Sequence, residues 1–230
     1  MSTSGGSGKT ETRRRVRAAR AHRLPGEARV VEAALARHLR EALAAAGPAA
    51  PQAGELRGAA VAVYTSLPGE PGTGELRRLL RAMRRDVLLP VLLPDLDLDW
   101  VLDPGPVVDP LRPAGSRLGP GTVASCALVL VPALAVDRAG TRLGQGGGSY
   151  DRALARLAAA DPLGPAGPAG HAGRAQPAGR AQPAGPAAAR PPLVLAVVHD
   201  DEVLADLLPV EPHDVRVDGA LTPSGLLLLG

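Results

Sequence analysis

The segment from Pro132 to Asp151, PALAVDRAGTRLGQGGGSYD, concentrates residue types that handle phosphate. Arg142 is a fixed cation, four glycines (Gly144, Gly146, Gly147, Gly148) fall within five positions, and Asp151 stands where a helix would begin. Glycines let backbone N–H groups approach phosphate oxygens, and a helix N-terminus adds positive potential. Arg142 could clamp a transferring phosphoryl group, and Asp151 could hold Mg²⁺. A plain glycine-rich turn would share this composition. Two other loops carry functional groups. Tyr64 to Thr73 presents Glu70, which could accept hydrogen bonds from a ring amine and N–H, or simply be a solvated carboxylate. Pro209 to Asp218 presents His213 and Asp214, which suit a metal or acid–base role as well as a structural one. Gly8-Lys9-Thr10 imitates the end of a P-loop. Thr3 stands where its first glycine is needed and no strand precedes it, so no phosphate cradle is expected there.

The elements that must position these loops alternate between strand and helix. Helical spacing is expected from Thr12 to Arg23, closed by Pro25. It recurs from Glu27 to Ala46 through Val31, Leu35, Leu39 and Leu43, with Gly47-Pro48 as a stop. Ala59–Tyr64 reads as a buried strand, and Thr73 caps a helix to about Arg85. Strands follow at Val87–Leu93, Leu96–Leu102 (anchored by Trp100) and Cys126–Val131. The glycine loop leads into a helix from about Tyr150 to Ala160. Leu193–Val198 is a strand and Asp201–Leu208 a short helix. Val215–Leu221 and Leu226–Leu229 finish as strands. This alternation predicts an α/β fold: a single domain with a largely parallel open sheet flanked by helices, a Rossmann-like three-layer arrangement. Ligands of such sheets bind outside the carboxyl ends of the strands, where the glycine loop and the Glu70 loop would both lie.

Composition sets the outer limits. The chain has 230 residues, enough to bury a core without a disulfide or metal staple. One cysteine, Cys126, excludes a disulfide framework and a Cys-based zinc cluster, and its apolar strand makes it inert core. No apolar run approaches membrane-spanning length and no secretory h-region is visible, so a soluble cytoplasmic protein is expected. Residues 161–192 are almost entirely Ala, Gly, Pro, Arg and Gln, and GRAQPA occurs twice, at 173–178 and 179–184. They read as a disordered, low-complexity loop inserted within the domain of residues 9–230, and residues 1–8 as a flexible N-terminus. Residues 1–40 carry ten basic and three acidic side chains. Such an arm attracts phosphates of a nucleotide or of nucleic acid, or is a solvated helix surface.

Together these segments resemble the 5-formyltetrahydrofolate cyclo-ligase family, also called 5,10-methenyltetrahydrofolate synthetase. Residues 132–154 follow its hydrophobic-F-D-x-x-G-x-R-L-G-x-G-x-G-x-Y-D pattern without a gap. The other pieces agree in order: Lys9 and Arg13 as Lys-x-x-x-Arg, Glu70 to Thr73 as E-x-x-T, and Pro209 to Asp214 as P-x-E-x-x-D. Ala133, Val136, Ser149 and Gly72 depart from the usual residues. Ser149 stands where the family usually has an aromatic ring, whose loss would weaken folate stacking. The resemblance implies ATP-dependent ring closure of 5-formyltetrahydrofolate to 5,10-methenyltetrahydrofolate, with release of ADP and phosphate. By the same resemblance Arg142 and Tyr150 are catalytic. Lys9, Arg13, Arg142, Leu143, Gly144, Gln145, Gly146, Gly147, Gly148, Ser149 and Tyr150 contact ATP. Thr65, Glu70 and Tyr150 bind the folate, and Asp151 and Asp214 bind Mg²⁺. The partners implied are these small molecules, with the chain a monomer or weak homodimer and no nucleic acid or membrane. Two rivals stay open. One is a catalytically inactive nucleotide- or folate-binding paralogue. The other is a nucleic-acid-binding module using the basic arm, although the chain offers only Tyr64, Trp100 and Tyr150 for stacking.

Overall fold

Apolar runs of four to seven residues become strands closed on both faces. The computed structural model describes residues 4–45, 60–106, 108–110, 112–159 and 191–229. Strands β1 (Ala60–Val63), β2 (Val87–Leu92), β4 (Cys126–Pro132), β7 (Leu193–Val197) and β9 (Gly219–Thr222) pair in parallel. The antiparallel neighbours β3 (Leu98–Leu102) and β10 (Gly225–Leu228) close the two edges. The order is β10-β9-β7-β4-β1-β2-β3. Because side chains alternate along a strand, each central strand feeds two cores. Val61, Val63, Leu128 and Leu130 pack with Leu35 and Leu39 of α2 (Pro25–Ala45) and Leu76 and Leu80 of α3 (Gly74–Ala82). Ala62, Val129 and Val131 face the other way, onto Ala153, Leu154 and Leu157 of α4 (Ser149–Ala159) and Val123 of a 3₁₀ segment. Each fully buried leucine of this kind is worth about 1.5–3 kcal/mol of burial. The expected three-layer α/β arrangement is therefore what the chain forms.

A second, smaller sheet was not expected from sequence. Strand β5 (Ala135–Asp137) pairs antiparallel with β6 (Arg142–Leu143) and parallel with β8 (Val203–Leu204). It sits beyond the end of β4 and frames the glycine loop. Helix α1 (Ser4–Ala21) lies on it through Val16, which joins Leu134, Ala135, Leu143 and Leu208 in a third cluster.

Four local expectations differ from what is observed. Helix α1 begins at Ser4 rather than near Thr12, despite three early glycines. Contacts made further along it, above all by Lys9, outweigh their poor propensity. Asp201–Leu208 is not a helix but a 3₁₀ turn (Asp200–Glu202) followed by β8. The Glu202 side chain accepts the His199 N–H, Val203 joins β5, and the Leu208 N–H is taken by Asp137. The strand expected from Val215 starts only at Gly219, because Val217 N–H donates across to Gly140 O. Thr73 is the residue before α3, yet its hydroxyl donates to Tyr64 O, and Glu32 accepts the Glu75 N–H instead. The insertion expected over 161–192 lies, as far as residue 190, outside the described residues.

Gly140 makes the turn between β5 and β6 with φ +78°, and an added Cβ would stand 2.4 Å from Val217 O. Gly140→Ala therefore forces the two segments apart. Strain of this kind costs about 1–3 kcal/mol, and a chain of this size loses about 2–4 °C of Tm per kcal/mol. Thermal melting should show a drop of several degrees. An unchanged Tm would mean that Gly140 and Val217 are not held together in solution.

Candidate active site

Asp137 fixes the frame. It is fully buried (0% exposed) at the end of β5. Its Oδ1 accepts the N–H groups of Ala139 and Thr141 (2.9 and 2.8 Å), and its Oδ2 accepts that of Leu208 (2.8 Å). One carboxylate thus ties the turn that leads into Arg142 to the segment that leads to Asp214. The Asp and Gly of the D-x-x-G motif are positioning residues, which explains their types.

A cavity of about 260 Å³ opens beside this frame, at the carboxyl ends of β1 and β4. Its polar wall is Thr65, Glu70, Arg142, the loop Gly144–Ser149, Tyr150 and Asp151. Its apolar wall includes Leu67, Pro90, Leu92, Leu98 and Pro110. Arg142 is nearly buried, at 6% exposed. It donates to Asp151 Oδ1 at 2.5 Å and reaches toward Pro132 O at 3.4 Å. An added Cβ at Gly144 would stand 2.8 Å from Arg142 Nη1, so the guanidinium would have to shift to admit one. Thr65 Oγ1 and Arg142 Nε are buried without a hydrogen-bond partner. Such orphaned groups are costly, and both belong to residues that line the cavity, where a polar ligand would satisfy them.

The second polar carboxylate is tuned by its surroundings. Burial pushes the Glu70 carboxyl above its ordinary range, against the pull of the Leu67 N–H and of Arg20. Tyr64 shapes the same loop, its hydroxyl donating to Pro71 O at 2.9 Å. Burial and the nearby Glu70 raise the Tyr150 phenol well above its usual value, so it stands as a neutral hydroxyl.

Lys9, Arg13 and Asp214 lie on another side of the glycine loop and do not line the cavity. Lys9 Nζ donates to Asp214 Oδ2 (2.7 Å) and Glu211 Oε2 (3.0 Å), joining residues about 200 positions apart. Burial works to raise the Asp214 carboxyl, but the Lys9 contact wins and holds it below the usual range. Arg13 Nε donates to Gly144 O at 3.0 Å, and Arg17 bonds both the side chain and the carbonyl of Gln145. Arg20 pairs with Glu202. The basic N-terminal arm therefore turns four cations toward this chain's own carbonyls and carboxylates. Among the described residues, one carboxylate–imidazole group could share an ion: Glu211, His213 and Asp214, with ligand atoms within 4.8 Å of one another. Asp151 is not part of it and is paired with Arg142 instead.

Sequence reasoning missed Asp137, Arg17, Arg20 and Glu202 as site-building residues. A signal existed for the arginines, since positions 9, 13, 16–17 and 20 fall on one helix face. Nothing local marks Glu202 as the partner of Arg20, or Gln145 as that of Arg17.

A mostly parallel sheet with a polar cavity at its carboxyl edge, a buried arginine and a glycine loop opening a helix define an α/β enzyme. The family model described as the 5-formyltetrahydrofolate cyclo-ligase family matches residues 6–165. A 5-formyltetrahydrofolate cyclo-ligase of Mycolicibacterium smegmatis is 37% identical over 179 residues, 74% of this chain and 76% of the relative. A mitochondrial 5-formyltetrahydrofolate cyclo-ligase of Arabidopsis thaliana is 36% identical over 101 residues, 44% of this chain and 28% of that one. The solved 5,10-methenyltetrahydrofolate synthetase of Aquifex aeolicus shares the fold with a TM-score of 0.62 at 20% identity, over 96% of this chain and 92% of its own. That of Mycoplasma pneumoniae gives 0.57 at 15% identity, over 93% and 97%. The chain belongs to the 5-formyltetrahydrofolate cyclo-ligase family and is an enzyme of that kind. Among the described residues no helix is long and apolar enough to cross a membrane.

The raised Glu70 carboxyl yields a stability test. Below the ordinary carboxylate range both folded and unfolded chains hold its proton, so burial costs little. As pH rises through the folded value the ionised group opposes folding, and the full cost is present above it. Glu70→Gln removes that cost and keeps an oxygen for the Leu67 N–H. The variant should melt at or above the parent at pH 8, with the difference shrinking toward pH 4, while activity falls. A lower Tm at pH 8 would show that Glu70 is there to stabilise its loop.

Proposed function

We propose that the enzyme closes the ring of 5-formyltetrahydrofolate to 5,10-methenyltetrahydrofolate at the expense of ATP. The observation that carries this reading is one cavity whose polar wall holds both the residues assigned to folate, Thr65, Glu70 and Tyr150, and those assigned to phosphate, Arg142 and the glycine loop. The apolar wall suits the flat rings of a folate, and the orphaned Thr65 hydroxyl suits its polar edge. A formyl oxygen leaves carbon poorly, so the γ-phosphoryl is first transferred to it and ADP departs. The N10 amine then attacks the activated formyl carbon, the C–O bond breaks, and phosphate leaves with the former formyl oxygen. The N10 proton goes to phosphate.

Such a reaction is driven mainly by placement and electrostatics. Arg142, held by Asp151 against Gly144, faces the charge on the transferred group. Loop amides from Gly144 to Ser149 and the start of α4 add fixed positive potential. Lys9 and Arg13, outside the cavity and turned to Asp214, Glu211 and Gly144 O, are assigned by the family resemblance to the rest of the triphosphate. Neutral Tyr150 donates a hydrogen bond and closes the cavity, and half-buried Glu70 accepts the ring N–H groups. Asp214 stands with Glu211 and His213 in a group that could share Mg²⁺, whereas Asp151 would have to yield its Arg142 contact to do so; the ion, when bound, would offset phosphate charge. We assign the enzyme to the cytoplasm, acting on small molecules alone.

Methenyl-folate absorbance should grow from 5-formyltetrahydrofolate only when ATP and Mg²⁺ are both present. Arg142→Ala should lower that rate by about 10²–10³-fold, with circular dichroism unchanged. Binding of ATP without product would favour the inactive paralogue, and near-normal turnover of the variant would remove Arg142 from the chemistry.

A further inference from the structure

Helix α1 is held to the body largely by charge. Its buried residues include Lys9, Val16 and Arg20, two of them cations. The Arg20 guanidinium donates from Nε and Nη2 to Glu202 Oε1 and Oε2 at 2.7 and 2.8 Å, and from Nη2 to Ala133 O at 2.6 Å. The two side chains are 6% and 2% exposed. Glu202 is itself fixed, since its Oε2 accepts the His199 N–H at 2.9 Å. Neighbouring Arg23 bonds Asp201 at 2.6 Å and lies 3.5 Å from Glu202. One guanidinium therefore joins α1, the cavity wall at Ala133 and the 3₁₀ turn after β7.

Stability alone gives a poor account of this pair. Taking both charges out of water costs about as much as their attraction returns, and apolar side chains would hold a helix as well. A planar fork of fixed donors adds direction instead. Arg13 stands seven residues before Arg20, two helical turns, and so on the same face. A shift of α1 along its axis would carry Arg13 off Gly144 O and Lys9 off Asp214 together.

We propose that Arg20 is a positioning residue for the nucleotide: paired with Glu202, it sets the register of α1 and hence where Lys9 and Arg13 stand. This rests on the reading of Lys9 and Arg13 as ATP contacts. The test compares Arg20→Lys, Glu202→Gln and Arg13→Ala with the parent enzyme, measuring KM for ATP, KM for 5-formyltetrahydrofolate and hydrogen exchange of α1 amides. Misplacement by about an ångström costs up to ~10²-fold. Arg20→Lys should accordingly raise the ATP KM by about tenfold or more, move the folate KM far less, and speed exchange in α1 but not in β4. Glu202→Gln should shift the same quantities in the same direction, and it carries the comparison if Arg20→Lys does not fold. An ATP KM that stays constant in both pair variants, or that rises no more than the folate KM, overturns the proposal while a raised ATP KM in Arg13→Ala keeps the reading beneath it. An unchanged ATP KM in Arg13→Ala overturns that reading, and the proposal with it.

Discussion

The buried carboxylate of Asp137 is the constraint on which the site depends. Three backbone N–H groups, from Ala139, Thr141 and Leu208, converge on its two oxygens. Hydrogen bonds to a charged acceptor contribute about 1.5–3 kcal/mol each, and a buried N–H left without a partner costs a comparable amount. Asp137 therefore acts as a junction: it closes the β5–β6 turn, sets the direction of Arg142, and draws the segment after β8 inward so that Glu211 and Asp214 come within reach of Lys9. Gly140 completes the junction by letting Val217 pass at backbone distance.

Around this junction the chain relies on charge more than on apolar packing. The large sheet has two apolar cores, with ion pairs only at their margins, where Arg77 meets Asp103 and Arg156 meets Asp97. The smaller sheet and α1 share only a modest cluster around Val16, Leu134 and Leu143, and rely on Lys9, Arg13, Arg17 and Arg20 for the rest. The body thus supplies stability, while the charged layer supplies orientation. Buried, unpaired polar atoms at Thr65 and Arg142 and a carboxyl raised by burial at Glu70 fit the same division. These groups work against folding and are placed where a ligand would compensate them.

What could be read from sequence was whatever has a strong local pattern. The leucine spacing of α2, the apolar run of β4 and the D-x-x-G-x-R-L-G loop each announce themselves within a few residues. Strands β5, β6 and β8 do not, because two or three residues are too few to show a period of two. The 3₁₀ turn at Asp200–Glu202 reads in the sequence as a helix start, because acidic residues before an apolar run look alike in both cases. Only tertiary bonding to Arg20 and β5 decides between them. Lys9 and Asp214 were singled out separately, but their contact spans most of the chain. Arg20 and Glu202 stayed invisible for the same reason: a buried pair 182 positions apart leaves no mark in either local sequence.

In the proposed reaction one cavity brings the formyl oxygen and the γ-phosphoryl group together, and the formyl oxygen leaves carbon as part of phosphate. Substrate carrying ¹⁸O in its formyl group tests this directly. After turnover with unlabelled ATP in ordinary water, mass spectrometry of the inorganic phosphate should find one ¹⁸O per methenyl-folate formed. Unlabelled phosphate, with the heavy oxygen released into water, would contradict transfer to the formyl oxygen and leave ATP hydrolysis as a separate event.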